Sequence, residues 1–359
     1  MINVGKVEYK VLGLMSGTSL DGLDIAFCRF TVDNCVWSYE IISSQTVAYS
    51  EHWKKLLLSL EKSDAIAFQQ AHIDYGYYLG AQVADFIIKY DARPDFISSH
   101  GHTIFHQPEK KLSIQVGSGN AIAARCKLPV VFDFRSLDVA LGGQGAPLVP
   151  IGDQLLFGSY DFCLNLGGFA NVSYQHNNKR IAYDICPVNI VMNAIAEKLG
   201  NPYDDGGEMA KEGMLSGYLL NELNQLGFYK MLFDSPKSLG KEWVLKNINP
   251  ILEQYELSDN DILRTFCEHV AFQIGKALKN KPRGKLLITG GGVYNTFLME
   301  CIRKHTDHEI IVPDKNTIEY KEALIFALLG VLRLRNEINC LKSVTGADQD
   351  CCSGTVVHI

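Results

Sequence analysis

The stretch from Val11 to Phe30, VLGLMSGTSLDGLDIAFCRF, constrains the fold more than any other part of the sequence. An apolar run (Val11 to Met15) gives way to Ser16-Gly17-Thr18-Ser19, then to the pair Asp21-Gly22, and Leu23 to Phe30 resumes as an apolar strand. Asp-Gly between two apolar runs is a strong hairpin signal. The turn offers backbone N–H groups, hydroxyls, and the carboxylates of Asp21 and Asp24. Glycines let a phosphate approach the backbone, hydroxyls donate to it, and carboxylates can hold a metal ion through waters. An ordinary Gly-rich hairpin has the same composition, so the segment alone leaves both readings open.

A third strand near Ile41 to Val47, a short helix at 53–60 and a longer one capped by Ser63-Asp64 follow, the last keeping an apolar face to about Tyr90. Strands at 96–99, 112–116 and 130–132, with a helix at 120–126, predict a mixed α/β domain. Residues 141–150, LGGQGAPLVP, are dense in Gly and Pro and predict the crossing to a second domain, the number that 359 residues suggest. The opening pattern then returns: strand 162–166, the turn Gly167-Gly168, strand 169–174 and a third strand at 180–184. Helices at 189–199, 213–226, 243–251 and 261–279 lead to a strand at 285–289, the loop Gly290-Gly291-Gly292, a helix at 295–304, a strand at 309–312 and a helix at 321–335. The poorly patterned tail from about 340 to 359 is expected to pack on the first domain, giving domains of 1–145 plus that tail and 146–339.

With 47% hydrophobic and 21% charged residues and a net charge of −6, the sequence is that of a soluble protein with large cores, and the acidic balance argues against a nucleic-acid partner. No apolar run is long enough to span a bilayer, and MINVGKVEYK lacks the apolar region of a secretory signal, so a cytoplasmic protein without membrane partners is expected. Ten cysteines are scattered with no C-x-x-C pair, which suits reduced thiols, and Cys351-Cys352 reads as exposed tail thiols. The hairpin has no Walker lysine, and no G-x-G-x-x-G after a strand, H-E-x-x-H or G-x-S-x-G occurs.

Four further places carry possible chemistry. His100, His102 and His106 with Asp133 suit contact with a polar substrate better than a closed zinc site, which wants four tightly paired ligands. Asp184 closes a strand, where it could be a general base or simply cap a turn; Asn189 can cap the helix behind it. Gly290-Gly291-Gly292 opens a helix after a strand and could take a ring or ribose against its backbone, or be a plain turn. Arg135 could clamp an anion or be solvated.

Seven stretches occur in a distinctive order: GLMSGTSLDGLD (13–24), SHGHTIFHQP (99–108), FDFRSLDVALGGQGAPLVP (132–150), LNLGGFANVS (164–173), PKSLGKEW (236–243), LITGGGVYNTFLM (287–299) and SVTGA (343–347). Together they resemble the anhydro-N-acetylmuramic acid kinase family of the actin/hexokinase/Hsp70-like ATPase superfamily. The resemblance implies a two-domain α/β actin-like ATPase (ribonuclease-H-like) fold with an interdomain cleft. It also implies an ATP- and Mg²⁺-dependent homodimeric kinase of cell-wall recycling. Such an enzyme opens 1,6-anhydro-N-acetylmuramic acid with water and phosphorylates O6, giving N-acetylmuramic acid 6-phosphate and ADP.

Residue by residue, Asp184 matches the catalytic aspartate of that family. Gly17, Thr18, Ser19, Leu20, Asp21, Gly22, Leu23 and Asp24 match its phosphate hairpin, and Gly290, Gly291 and Gly292 its nucleotide loop. Arg135, His100 and Asn189 are the expected substrate contacts. Mg²⁺ is expected near Asp21 and Asp24, through waters. The first domain would then hold phosphate and sugar, the second the base and the nucleotide. Where the family reads Asp-Thr-Gly-Pro-Gly-Asn, this sequence reads Asp184-Ile185-Cys186-Pro187-Val188-Asn189, and His102 stands where the family usually has Gln. These departures leave open an alternative, a kinase of the same fold for another sugar or anhydrosugar.

Overall fold

The computed structural model describes residues 7–17, 20–231 and 237–359. The chain forms two compact units, one of residues 1–156 and 320–359, the other of residues 157–319. In the first, β1 (Glu8–Ser16), β2 (Gly22–Asp33) and β3 (Val36–Ala48) make an antiparallel meander. The meander is continued by β4 (Phe96–Gln107), parallel to β1, and β6 (Val130–Phe132), parallel to β4. β5 (Leu112–Val116) folds back on the far end of β4. In the second unit, β7 (Phe162–Leu166), β8 (Phe169–His176) and β9 (Lys179–Pro187) repeat the meander, and β10 (Lys285–Thr289) and β11 (Glu309–Ile311) add two parallel strands beside β7.

The sheet orders are β12-β6-β4-β1-β2-β3 and β11-β10-β7-β8-β9. In each, the first strand of the meander lies central and the third at an edge, the ribonuclease-H-like order of the actin-like ATPase fold. The residues explain this placement. β1 is buried almost along its length, as a strand covered on both faces must be. β3 alternates exposed and covered residues, with Glu40 outward, as suits an edge.

Each unit has its own core. Leu12, Leu14, Ile25, Tyr75, Leu79, Phe86 and Ile97 fill the first, Leu164, Val172, Ile185, Phe266, Ile274 and Ile288 the second. The helix Ala65–Tyr90 starts where the sequence signals it, with the Asp64 carboxylate accepting from the N–H groups of Ile66 and Ala67, both at 2.9 Å. The helix Lys315–Arg335 lies so close to β1 that a Cβ on Gly13 would sit 2.0 Å from the Ala323 carbonyl oxygen.

Beneath that helix, Lys321 Nζ and Asp153 Oδ1 lie 2.7 Å apart, both side chains almost fully buried. Removing one partner of a buried pair strands the other charge. Lys321→Ala should therefore cost about 3–5 kcal/mol, read as a lower urea midpoint, whereas the double change Lys321→Met with Asp153→Leu should recover most of that loss.

Several expectations shift. The units divide at 156/157 and again at 319/320, not at 145/146 and about 340, because the Gly/Pro-rich segment is followed by another helix, Val149–Leu156, that stays with the first unit. The expected helix at 213–226 is shorter, Gly217–Asn224, and a separate helix, Glu208–Glu212, precedes it, ending where Gly213 becomes extended. The one at 243–251 is two, Lys241–Asn247 and Asn249–Glu253, because Pro250 cannot continue a preceding helix. The tail is ordered: β12 (Thr355–Val357) pairs antiparallel with β6. Cys351 is no exposed thiol but is buried opposite Cys340, and Cys352 is half-buried.

Candidate active site

In the first unit the β1–β2 hairpin sets Met15 opposite Asp24 and Ser16 opposite Leu23. Thr18 and Ser19 lie outside the described residues. Gly17 accepts from the Leu20 N–H at 3.2 Å, and Leu20 takes a left-handed φ of 59°. Asp21 is exposed at the tip; Asp24, half-buried, accepts from the Thr46 hydroxyl at 2.6 Å. Gly22 and Leu23 are buried in β2, so Leu23 contributes its side chain to the core.

Behind the hairpin runs a buried chain of hydroxyls. Tyr75 and Tyr49 hydroxyls are 2.5 Å apart, the Tyr49 O–H donates to Ser16 Oγ at 2.7 Å, and Ser16 Oγ meets His102 Nδ1 at 2.8 Å. Burial pushes the His102 imidazole down to about 4, so the ring is neutral near pH 7. This chain fixes the last strand residue before the turn. Nothing in the sequence singles out Tyr49 or Tyr75, since their partners lie on other elements.

His100 and Arg135 form a second polar group. The Arg135 guanidinium donates from Nε (3.2 Å) and Nη2 (2.8 Å) to His100 Nε2, and from Nη1 to the Gly145 carbonyl at 2.5 Å. Only a lone pair can accept from a guanidinium, so the His100 proton sits on Nδ1, which donates to the Gly101 carbonyl at 2.9 Å. Burial first, then the Arg135 charge, hold this imidazole well below its ordinary range. Both ring nitrogens of His100 are thus engaged, Nε2 by Arg135 and Nδ1 by the Gly101 carbonyl, which fixes the ring that orients the guanidinium. A depression of about 140 Å³ beside them is lined in part by His72, His100, Gln115, Asp133 and Ser136. Asp133 is held by Ser136, whose hydroxyl donates to it at 2.6 Å, and His106 Nδ1 faces Ser113 Oγ at 3.3 Å. Among the described residues the histidines and Asp133 do not gather as a three-ligand metal group.

In the second unit Asp184 sits on β9 at an irregularity. Asn171 pairs with Asp184 but Ala170 pairs with Cys186, so Ile185 is an extra residue, a β-bulge. Strict alternation would turn Ile185 away from the face that Cys186 fills. The bulge instead lets Ile185 and Cys186 both enter the core, while the half-buried Asp184 side chain is directed elsewhere. Val188 is also core. The three bulky residues that depart from the family pattern are therefore packed inside.

The Leu239 N–H donates to Asp184 Oδ2 at 2.8 Å, and the Asp184 N–H donates to the Lys237 carbonyl at 3.0 Å. Burial raises the Asp184 carboxyl to about 6, against the opposing pull of the Leu239 N–H and the Lys237 charge. Lys237 is itself buried, with Nζ 4.7 Å from the Phe228 ring centre and 5.5 Å from that of Tyr183. Burial, then the nearby Lys276 charge, lower it to about 8. The segment Lys237 to Leu239 thus grips the carboxylate, a role that its sequence, without periodicity, did not announce.

Asn189 does not cap its helix: Val188 holds the N-cap position, and Asn189 Nδ2 donates instead to the Leu166 carbonyl at 3.3 Å. The kinked backbone at Val188 (φ −132°, ψ −99°) turns that side chain inward. It stands against the glycine loop, where a Cβ on Gly292 would be 3.6 Å from Asn189 Oδ1. Gly290 has φ 87° and ψ 162°, a conformation open essentially to glycine alone. A Cβ there would lie 2.6 Å from Asn165 Oδ1 and 2.8 Å from the Leu166 carbonyl carbon.

Curated relatives include an anhydro-N-acetylmuramic acid kinase of Francisella tularensis subsp. novicida (strain U112), 34% identical over 372 residues that cover 95% of this chain and 96% of the relative. One of Sulfurovum sp. (strain NBC37-1) is 34% identical over 365 residues, covering 97% and 98%. Among solved structures, the Acidaminococcus fermentans (R)-2-hydroxyglutaryl-CoA dehydratase component A aligns with a TM-score of 0.45 at 13% identity, over 89% of this chain and 96% of that one. A ROK family glucokinase from Streptomyces griseus, in complex with glucose and AMPPNP, aligns with a TM-score of 0.38 at 13% identity, over 89% and 98%. The family model described as anhydro-N-acetylmuramic acid kinase matches residues 9–358, and with relatives of that name matching along nearly their whole length, the chain belongs to the anhydro-N-acetylmuramic acid kinase family.

Proposed function

We propose that this protein is an ATP-dependent kinase that opens the 1,6-anhydro ring of 1,6-anhydro-N-acetylmuramic acid with water and phosphorylates O6. Its products are N-acetylmuramic acid 6-phosphate and ADP, and its place is peptidoglycan recycling. The observation that carries the reading is Asp184. Its carboxyl is raised to about 6 and one oxygen is held by the Leu239 N–H. A base poised near the working pH, with one oxygen fixed, suits removal of a proton from water.

In this reading Asp184 draws a proton from the water that attacks the anomeric carbon, and the released O6 becomes the nucleophile for the γ-phosphoryl group. Backbone N–H groups of the β1–β2 turn, with Thr18 and Ser19, receive the phosphates, since no Walker lysine is present. Gly290, Gly291 and Gly292 give the nucleotide room against backbone. Arg135, oriented by His100, takes the negative charge of the sugar's carboxylate, and Asn189 joins the Gly167-Gly168 turn to the glycine loop. Asp21 and Asp24 are hard oxygen donors that fit Mg²⁺ through waters, and the ion would offset phosphate charge. The alternative of another sugar drew on Ile185, Cys186 and Val188. Those three are packed in the core, and the fourth departure, His102, faces Ser16 Oγ through Nδ1, which favours the family's own substrate.

The same reading places the enzyme in the cytoplasm as a homodimer. No helix among the described residues is long and apolar enough to cross a membrane, and sedimentation equilibrium tests the dimer.

The deciding experiment supplies Mg-ATP and 1,6-anhydro-N-acetylmuramic acid in H₂¹⁸O. Sugar-dependent ADP and label at the anomeric hydroxyl are expected; label in phosphate, or no ADP above the sugar-free background, would overturn the proposal. The pH profile adds a check. Only ionised Asp184 can accept the proton, so kcat/KM should rise with pH through an apparent pKa of about 6, and that limb should vanish in the residual activity of an Asp184 variant.

A further inference from the structure

The C-terminal segment of the first unit carries a feature that the proposed reaction does not use. Cys340 and Cys351 exchange both backbone hydrogen bonds, N–H to carbonyl at 3.0 Å and 3.1 Å, so they are directly opposed across a short antiparallel bridge. Directly opposed residues of this kind have Cα atoms about 5.5 Å apart, inside the range a disulfide requires. Their sulfurs and one carboxylate oxygen of Asp138 all lie within 4.8 Å of one another.

That trio has the composition of a metal site, but the carboxylate is already engaged. Asp138 Oδ1 accepts from the Thr345 hydroxyl at 2.7 Å and Oδ2 from the Gly145 N–H at 2.8 Å. The Arg135 charge also acts on Cys340, which disfavours a second cation there. The two sulfurs are left to each other. We propose that Cys340 and Cys351 are an oxidative modification site, closing to a disulfide when the protein meets a peroxide.

The chemistry balances with hydrogen peroxide as the oxidant. Cys351 is the more exposed of the pair, at 7% against 1% for Cys340, and the Cys340 S–H directed at it favours its thiolate. That thiolate attacks one peroxide oxygen; an S–O bond forms, the O–O bond breaks and hydroxide leaves. Cys340 then attacks the sulfenic sulfur; the S–S bond forms, the S–O bond breaks and water leaves. Two thiols have lost two hydrogens and the peroxide has become two waters.

The bridge would brace a functional neighbourhood. The loop it closes contains Thr345, whose hydroxyl holds Asp138 and whose carbonyl accepts from the Gln144 N–H at 2.8 Å. Gly145, beside it, is the residue whose carbonyl receives Arg135. A cystine here ties the Arg135 segment down without touching the reacting groups.

The test treats the full chain with a few equivalents of hydrogen peroxide, blocks remaining thiols with N-ethylmaleimide, and maps tryptic peptides without reduction. Cleavage after Arg335 and Lys342 separates the two cysteines, so the expected product is peptide 336–342 joined to peptide 343–359, less two hydrogens. Cys352→Ser should keep the link and Cys351→Ser should lose it. The oxidised protein should also melt about 5 °C or more above the reduced one. Full alkylation of Cys340 and Cys351 after peroxide, a link that survives Cys351→Ser, or a cystine that leaves Tm unchanged would overturn the proposal.

Discussion

Replacing Asp184 by Asn is expected to lower kcat by at least about 10³-fold while leaving ATP affinity nearly unchanged. An amide keeps the shape and can still accept from the Leu239 N–H, which lies 2.8 Å from Oδ2 in the native protein, so what is lost is the capacity to take a proton. General-base removal accounts for about 10²–10⁴ in rate. The water attack on the anomeric carbon has no second carboxylate assigned to it in this reading. Isothermal titration with ATP and a coupled ADP assay separate the two quantities. Retention of more than a tenth of the turnover would place the base elsewhere.

The same variant should be more stable than the native protein, but only above a definite pH. The folded-state value of about 6 lies above the ordinary 3.8. Burial therefore favours the protonated carboxyl. Its contribution to stability is fully present below about pH 4 and is lost as pH rises through about 6. By pH 7.5 the ionised, half-buried carboxylate costs the native fold about 2–3 kcal/mol. Asp184→Asn should regain that amount at pH 7.5 and nothing at pH 4, as urea midpoints at the two values will read. A residue that weakens the fold when charged and is indispensable when charged is the expected signature of a functional carboxylate.

Gly290→Ala should weaken ATP binding by at least about tenfold and lower stability by about 2–4 kcal/mol. Two costs add. The backbone at φ 87° and ψ 162° is closed to alanine, worth about 1–3 kcal/mol. The new Cβ would also press on the Leu166 carbonyl carbon at 2.8 Å and Asn165 Oδ1 at 2.6 Å, residues held in β7 by pairing with Ala170 of β8 and Thr289 of β10. The loop must move, and with it the surface offered to the nucleotide. Sugar binding, assigned to Arg135 on another unit, should change less. Equal losses for ATP and sugar would mean that the substitution acts on the whole fold and not on the loop.

Much of this was legible in the residues. The Asp21-Gly22 turn between apolar runs fixes the β1–β2 hairpin, and the echo at 162–184 fixes the second meander, because strand and turn signals are local. The positions that local pattern reads incompletely depend on partners distant in sequence. His100 reads as a substrate contact, whereas in the structure Arg135 and the Gly101 carbonyl engage its two ring nitrogens. Asn189 reads as a helix cap until the Leu166 carbonyl draws it away. Ile185, Cys186 and Val188 look like changes in a substrate loop because one-dimensional alternation cannot foresee a bulge. Lys237 and Leu239 grip Asp184 from 53 and 55 residues further along the chain, and no spacing rule connects them.

The interrupted chain path of the first unit has a consequence for synthesis. That unit is built from residues 1–156 and 320–359 and takes its edge strand from Thr355–Val357, whereas the second is continuous from 157 to 319. As the polypeptide leaves the ribosome, the later-encoded unit has all its parts first, and the earlier one waits for the final residues with the β6 edge unpaired. Unpaired edges of waiting intermediates are where chaperones bind and aggregates begin. Truncating the last few residues should therefore lower the yield of soluble protein far more than the small contact area of β12 would suggest.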